Sequence, residues 1–348
     1  MPQPDLVALW EDPARFEAAP GGGAILVTGG AGYVGSHAVL ALRDAGREVV
    51  VIDDLSSGDL AAMPAGTPFH RGDVADRELV AKVIGDHGVR TVMHFAGSAS
   101  PQESLVRPLE YYRNNTAASL ALATACADLG VSRLIFSSSA AVYGVAGPSP
   151  LGEEAPTAPL TPYGASKLMT EMILRDLAAA RPGFQALSLR YFNIAGADPG
   201  GRGGPRRSGA ACLIQRAADA ALGIGEALDI WGADYETRDG SGERDYIHVS
   251  DVAQVHLAAV AYLEAGGPGT VLNCGYGRGF TVLEVIAALE AILGREIPKR
   301  TGPRRPGDVA SAIAKVDRLR STLDWRPRYD DLDQILRSAL ACRGWTGA

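Results

Sequence analysis

An apolar run, Ala24-Ile25-Leu26-Val27-Thr28, passes into Gly29-Gly30-Ala31-Gly32-Tyr33-Val34-Gly35-Ser36-His37 and then into the helical pattern Val39, Leu40, Leu42, closed by Gly46. Few folds accommodate this order. A short unbroken apolar run is a strand covered on both faces, as in a parallel sheet. Glycines at this spacing let the backbone turn sharply, and the amides that open the following helix then face a pyrophosphate. A glycine turn alone is common. Here the next strand, Glu48 to Ile52, ends in Asp53-Asp54, about 20 residues on, where an acid accepts from ribose hydroxyls. An aspartate there repels a 2′-phosphate, so the pattern points to NAD rather than NADP.

The alternation continues. A strand is expected over Thr67 to Arg71, followed by Gly72-Asp73-Val74 and a helix from Asp76 to Asp86. Another strand covers Thr91 to Gly97, a long helix Pro108 to Leu129, and a strand Val131 to Phe136 that runs into Ser137-Ser138-Ser139. Strands alternating with helices imply an α/β fold, a doubly wound parallel sheet. Asp73, Val74, Phe95, Ala96 and Gly97 fall at C-terminal strand ends, the side on which such sheets bind ligands. The Ala/Leu stripe of the long helix reads as core or as a subunit contact.

After a proline-rich loop, Thr161 and Pro162 open a helix that carries Tyr163 and Lys167 at i and i+4. That spacing also arises by chance on helix faces. Its chemical reading is a phenol made basic: from a reference pKa of ~10, work near neutrality needs about 3 units of lowering, roughly 4 kcal/mol in favour of the phenolate. A fixed lysine and a nicotinamide cation would supply it.

Beyond Asn193 the composition changes. Gly196 to Gly209 reads as a mobile basic loop whose Arg202, Arg206 and Arg207 are solvated; helices follow near 210–222, 251–264, 282–293, 314–323 and 332–342, with a strand at Thr270 to Cys274. Residues 1–22 carry Asp5, Glu11, Asp12 and Glu17 and lack a basic start, so they read as an extension rather than a signal or a span. A net charge of −7 offers nucleic acid or an anionic membrane no attraction. The four cysteines are scattered, without metal-ligand spacing, and the reading is of reduced thiols in a cytoplasmic protein with no metal.

Taken together, TGGAGYVGSH (28–37), HFAG (94–97), PLEYYRNN (108–115), FSSSAAVYG (136–144), PYGASK (162–167), LRYFNIAGA (189–197), DYETRDGSGERDYIHVSD (234–251) and RRPGD (304–308) resemble the extended short-chain dehydrogenase/reductase family. Within it the closest likeness is to the UDP-sugar 4-epimerases. The resemblance covers Ile25 to about Trp325 and implies a Rossmann-type NAD domain with a smaller C-terminal nucleotide-sugar domain, commonly as a homodimer through the helices of Asn115 and Tyr163. The boundaries expected are an extension over 1–22, an NAD domain over 23–195 completed by about 248–275, and a sugar domain from 196–247 and 276–348.

Carried over by residue, the resemblance puts Gly29, Gly32 and Gly35 at the pyrophosphate, with Tyr33 and Val34 among the cofactor-binding residues. Asp53 goes to the adenine ribose, with Asp54 beside it in the cofactor site, and Asp73 and Val74 to the adenine. Phe95, Ala96, Gly97, Asn115, Ser137 and Tyr191 line the cofactor cleft. Lys167 lowers the Tyr163 pKa, and Ser139 and Tyr163 face the sugar. Asn193, Leu213, Arg244, Arg305 and Asp308 would hold UDP. The implied reaction is C4 epimerisation of UDP-glucose/UDP-galactose through a 4-keto sugar, with Tyr163 as base.

Three departures bear on substrate and activity. Ser98-Ala99 replace a lysine common after HFAG, Ala211-Cys212 replace polar residues before Leu213, and Ala312 stands where some relatives place a tyrosine beside the sugar. The last makes room for an N-acetyl group, so UDP-N-acetylhexosamines and the UDP-xylose/UDP-arabinose pair are alternative substrates. A 4,6-dehydratase would need acids at Ala140-Ala141, where alanine transfers no proton. A non-catalytic NAD-sensing protein is the remaining alternative.

Overall fold

The computed structural model describes residues 23–145, 147, 149–205 and 212–346. The N-terminal extension, Arg206, Arg207 and Ala211 lie outside the described residues. Six strands in the first part of the chain, β1 (Ile25–Thr28), β2 (Val49–Asp53), β3 (Phe69–Arg71), β4 (Thr91–His94), β5 (Arg133–Ser139) and β6 (Gln185–Tyr191), are joined by β10 (Thr270–Cys274). They form one parallel sheet in the order β10-β6-β5-β4-β1-β2-β3. The chain leaves β1 toward β2 and β3, then returns to β4 on the other side. The crevice at that reversal, above Thr28, is where doubly wound sheets take their ligands.

The apolar strands are buried on both faces because helices cover both. Ile25, Val27, Val49 and Val51 pack with Val39 and Leu42 of the helix Tyr33–Asp44 and with Val252 and Val255 of the helix Val249–Glu264. Leu26, Val50 and Ile52, one residue out of phase, pack on the opposite face with Val80, Val83 and Leu122. Each such side chain contributes about 1.5–3 kcal/mol by leaving water.

Past β6 the chain builds a smaller layer. Strand β9 (Glu243–His248) pairs with β7 (Asn193–Ala195) and β13 (Ser311–Ala312) in parallel and with β11 (Gly279–Thr281) antiparallel; β8 (Leu228–Trp231) pairs with β12 (Lys299–Gly302). None of these short pairings except the approach to β9 is visible in the sequence, since two to four residues carry no period. The helix expected from Ala314 covers only Asp317–Leu323, because Ala314 is drawn into a bridge with Leu151.

Two further expectations change. The long helix from Pro108 is not uniform: after Pro108–Tyr111 comes a π-helical segment, Tyr112–Ala117, then α-helix over Ala118–Asp128. The wider turn delivers Asn115 inward, where its Oδ1 accepts from Ser98 N at 2.8 Å and its Nδ2 donates to Ser98 O at 3.1 Å and Ser166 Oγ at 3.0 Å. The loop after Gly196 is tied down in its first half: Tyr33 donates to Gly196 O at 2.6 Å, and Arg202 pairs with Asp44 and Asp198, each at 2.9 Å. Among the described residues no helix is long and apolar enough to cross a membrane.

Candidate active site

The glycine turn is shaped by exclusion. A methyl group on Gly35 would lie 2.2 Å from Gly29 O, and one on Gly29, whose φ is +71°, would lie 2.5 Å from Ala96 N. Gly32 caps the helix Tyr33–Asp44 and brings no side chain to its first amides. A helix N-terminus so arranged receives a diphosphate. At the end of β2, Asp53 is 6% exposed and accepts from Ala31 N at 2.9 Å and Leu55 N at 2.8 Å, so the acid fixes the glycine turn; burial raises its pKa and these amides pull it back. Asp54 and Asp73 are exposed and accept from Ser56 N and Ala75 N, while Val74 is buried.

Beyond β4, Phe95 N donates to Thr28 O, and the Phe95 ring lies 4.7 Å from that of His256. Gly97, with φ +141°, leaves room for Asn115 Oδ1, which a methyl would approach to 2.8 Å. Tyr191 donates to His256 Nε2 at 2.7 Å, and His256 Nδ1 meets Val252 O at 2.9 Å, so the imidazole holds its proton on Nδ1. Tyr33 and Tyr191, read from the sequence as cofactor residues, thus have hydroxyls committed to Gly196 and His256. Val34 is half-buried against the main core.

Thr161 caps its helix, accepting from Gly164 N at 3.2 Å, and Pro162 fills the first turn. This fixes one face against the end of β5. Lys167 Nζ donates to Ser137 O at 2.9 Å and stands 5.0 Å from the Phe136 ring centre and 5.9 Å from that of Tyr163. The Ser139 Oγ accepts from Ala141 N at 3.1 Å and lies close enough to the Tyr163 phenol to draw its pKa down.

Burial holds Lys167 down at about 8. It drives the Tyr163 phenol above 10, and Ser139 pulls that back only in part. The lowering expected from the sequence calls on Lys167 together with a nicotinamide cation. Within the protein the desolvation of a phenolate outweighs an ammonium directed at a backbone carbonyl.

The second lobe closes over this face. A methyl on Gly307 would touch Thr161 Cγ2 at 3.0 Å, and Gln102 donates to Pro306 O at 3.2 Å. Arg305 pairs with Asp308 at 2.9 Å, with its guanidinium 5.7 Å from the Trp231 ring centre; Arg304 lies 4.3 Å from that of Tyr235. Arg244 folds back on the carbonyl of Glu243 at 2.8 Å. Trp231 Nε1 and the Tyr235 hydroxyl are buried without a hydrogen-bond partner among the described residues. Burial raises Tyr235, as does Asp308, while Arg244, Arg304 and Arg305 pull it down. Asn193, on β7, and Leu213, at the start of the helix Leu213–Ala221, are half-buried, and their neighbours Ile194 and Cys212 join the two segments, the Cys212 thiol donating to Ile194 O at 3.1 Å.

Sequence reasoning passed over Trp231, Tyr235, Glu171 and Arg190. Glu171 was recoverable in principle, one further turn along the Tyr163-Lys167 stripe; the partners of Trp231 come from distant segments. No cluster of three or more metal-ligating side chains occurs among the described residues.

A dinucleotide crevice, a Ser-Tyr-Lys set beside it and a second lobe that brings Arg304 and Arg305 to the same face define a nicotinamide-dependent enzyme of the short-chain dehydrogenase/reductase class. Comparison with known proteins narrows this. Residues 25–275 match the model of the NAD dependent epimerase/dehydratase family, and the chain belongs to that family. It is 52% identical over 317 residues to a UDP-glucose 4-epimerase of Azospirillum brasilense, covering 91% of each chain. A UDP-glucose 4-epimerase structure from Stenotrophomonas maltophila, with bound NAD and formylated UDP-arabinopyranose, superposes with a TM-score of 0.89 at 38% identity, covering 92% of this chain and 98% of that one. The UDP-Glc/GlcNAc 4-epimerase of Campylobacter jejuni does so at 0.81 and 40% identity, covering 93% and 99%.

Proposed function

We propose that the protein is an NAD-dependent UDP-sugar 4-epimerase, an isomerase, with UDP-glucose and UDP-galactose as its substrate pair. The observation that carries this reading is the Ser139-Tyr163-Lys167 set facing a lobe whose arginines and unpartnered Trp231 and Tyr235 suit a nucleoside diphosphate. The crowding at Gly29 and Gly35 and the bare cap at Gly32 fit NAD, with Asp53 at the adenosine end. When bound, NAD supplies reversible two-electron oxidation of the sugar C4 carbinol.

In this reading Tyr163 removes the C4 hydroxyl proton and later returns it, with Ser139 donating to the same oxygen. Lys167, anchored on Ser137 O, keeps a positive charge next to the phenolate at neutral pH. Arg244 and Arg305 grip the diphosphate, for which a guanidinium fork is well matched. Trp231 offers a flat face to the base and Asp308 an acceptor to its ribose. With the nucleotide held, the planar C4 centre of a 4-keto sugar can turn and be reduced from its other face, which inverts the stereocentre. Ala140 and Ala141 bring no acid, which argues against dehydration.

A second substrate reading rests on Ala312. It pairs with Arg244 on β9 and packs against the same small core as Ala140 and Leu168, and its methyl takes up less room than the tyrosine some relatives carry there. UDP-N-acetylglucosamine is therefore a candidate alongside UDP-glucose, with UDP-xylose/UDP-arabinose behind it.

We assign residues 23–195 and about 248–275 to the NAD domain and 196–247 with 276–348 to the sugar domain, supported by the join of β10 to the main sheet. The assembly proposed is a homodimer in the cytoplasm. Its support is an exposed apolar face shared by two helices, with Leu109 80%, Leu120 50%, Met169 43% and Met172 46% exposed. The deciding experiment is release and identification of bound nucleotide, followed by incubation with UDP-glucose, UDP-N-acetylglucosamine and UDP-xylose and separation of the 4-epimers. Tyr163→Phe is expected to abolish turnover and keep UDP affinity; no epimer from any substrate with the unaltered chain overturns the reading.

A further inference from the structure

Glu171 stands one turn beyond Lys167 on the Tyr163 helix and is 6% exposed. Its Oε1 accepts from Ser138 Oγ and from Arg190 Nε at 3.0 Å, and its Oε2 from Arg190 Nη2 at 2.7 Å. Arg190, 5% exposed, also donates to the Tyr143 hydroxyl at 3.0 Å and Glu153 O at 3.2 Å, and the Tyr143 hydroxyl donates to Asn273 Oδ1 at 2.6 Å. Asn273 Nδ2 in turn donates to Leu151 O at 2.8 Å, and Leu151 N to Ile313 O at 2.8 Å, next to Ala312.

Two side chains of one helix stripe therefore hold successive residues of β5, Lys167 the Ser137 carbonyl and Glu171 the Ser138 hydroxyl, and Tyr163 of the same stripe lies beside the next residue, Ser139. From the middle contact a buried polar chain runs to the strand beside the sugar lobe. A bidentate buried carboxylate-guanidinium pair is a rigid, directional link, and removal of one partner leaves the other charge unsatisfied.

We propose that Glu171 is a positioning residue for the proposed reaction: by holding Ser138 and Arg190 it sets the end of β5 so that Ser139 and Lys167 address Tyr163. The inference rests on the epimerase reading. Misplacement of a reacting group by about 1 Å costs on the order of 10²-fold in rate, while binding at the distant nucleotide is untouched.

Ser138→Ala removes the middle link and leaves the ion pair whole; Glu171→Gln breaks the pair. Holoenzyme of each is assayed for kcat and KM, with UDP affinity by calorimetry and thermal unfolding alongside. The expected result is kcat down about 10-fold in Ser138→Ala and about 10²-fold in Glu171→Gln, with KM and UDP Kd within about twofold and the Ser138→Ala melting curve unmoved. If Glu171→Gln fails to fold, Ser138→Ala alone decides. A Ser138→Ala kcat within twofold of the unaltered chain overturns the proposal, as does a fall matched by equal losses in UDP affinity and melting temperature. An unaltered chain inactive on every UDP-sugar overturns the epimerase reading instead.

Discussion

Replacing Lys167 by methionine tests the electrostatics of the site through folding. Lys167 is 4% exposed, and burial holds its pKa at about 8 against an ordinary 10.5. At about 1.4 kcal/mol per pH unit, a charged Lys167 costs the fold about 3 kcal/mol. Below pH 8 both folded and unfolded chains hold the proton, and the full cost is present. Between pH 8 and 10.5 the folded protein releases the proton while the unfolded chain keeps it, so this cost is relieved as pH rises. Methionine removes the ammonium and its hydrogen bond to Ser137 O; the stranded carbonyl costs about 1–3 kcal/mol at every pH.

The difference in unfolding free energy between the two proteins should therefore move by about 3 kcal/mol in favour of the unaltered chain from pH 7 to 10.5. The assay is urea unfolding of nucleotide-free protein at closely spaced pH values, with matched m-values. A difference that stays flat to within about 1 kcal/mol would refute the claim that burial depresses Lys167. The same titration limits catalysis, with kcat/KM falling above about pH 8 as the charge beside Tyr163 is lost.

Three other outcomes follow from the geometry. Gly35→Ala forces a methyl to within 2.2 Å of Gly29 O, so purified protein should contain little nucleotide and lose about 1–3 kcal/mol of stability, read by absorbance of released cofactor and by denaturant titration. Trp231→Ala should weaken UDP binding by about 1–3 kcal/mol, as for a lost base-aromatic stack, with no effect on bound NAD; calorimetry measures both. Met172→Lys puts a charge on the exposed two-helix face and is expected to shift sedimentation from dimer to monomer without altering the melting curve of dilute protein; an unchanged dimer refutes that interface.

The sequence by itself determined the frame of this protein. Alternating apolar strands and helices, the glycine turn at 29–35 and Asp53 at the end of β2 are local patterns, and local sterics and burial enforce them wherever the chain folds. Tyr163 and Lys167 were legible for the same reason, since a capped helix fixes which residues share its face. Only the tertiary structure decided what surrounds them. It showed that burial raises Tyr163 while Ser139 pulls it back, that Tyr33 and Tyr191 are hydrogen-bonded into the fold, and that Glu171 joins Ser138 to Arg190. Each of these depends on groups far apart in the chain and on the low dielectric they create together, which no spacing along the sequence records.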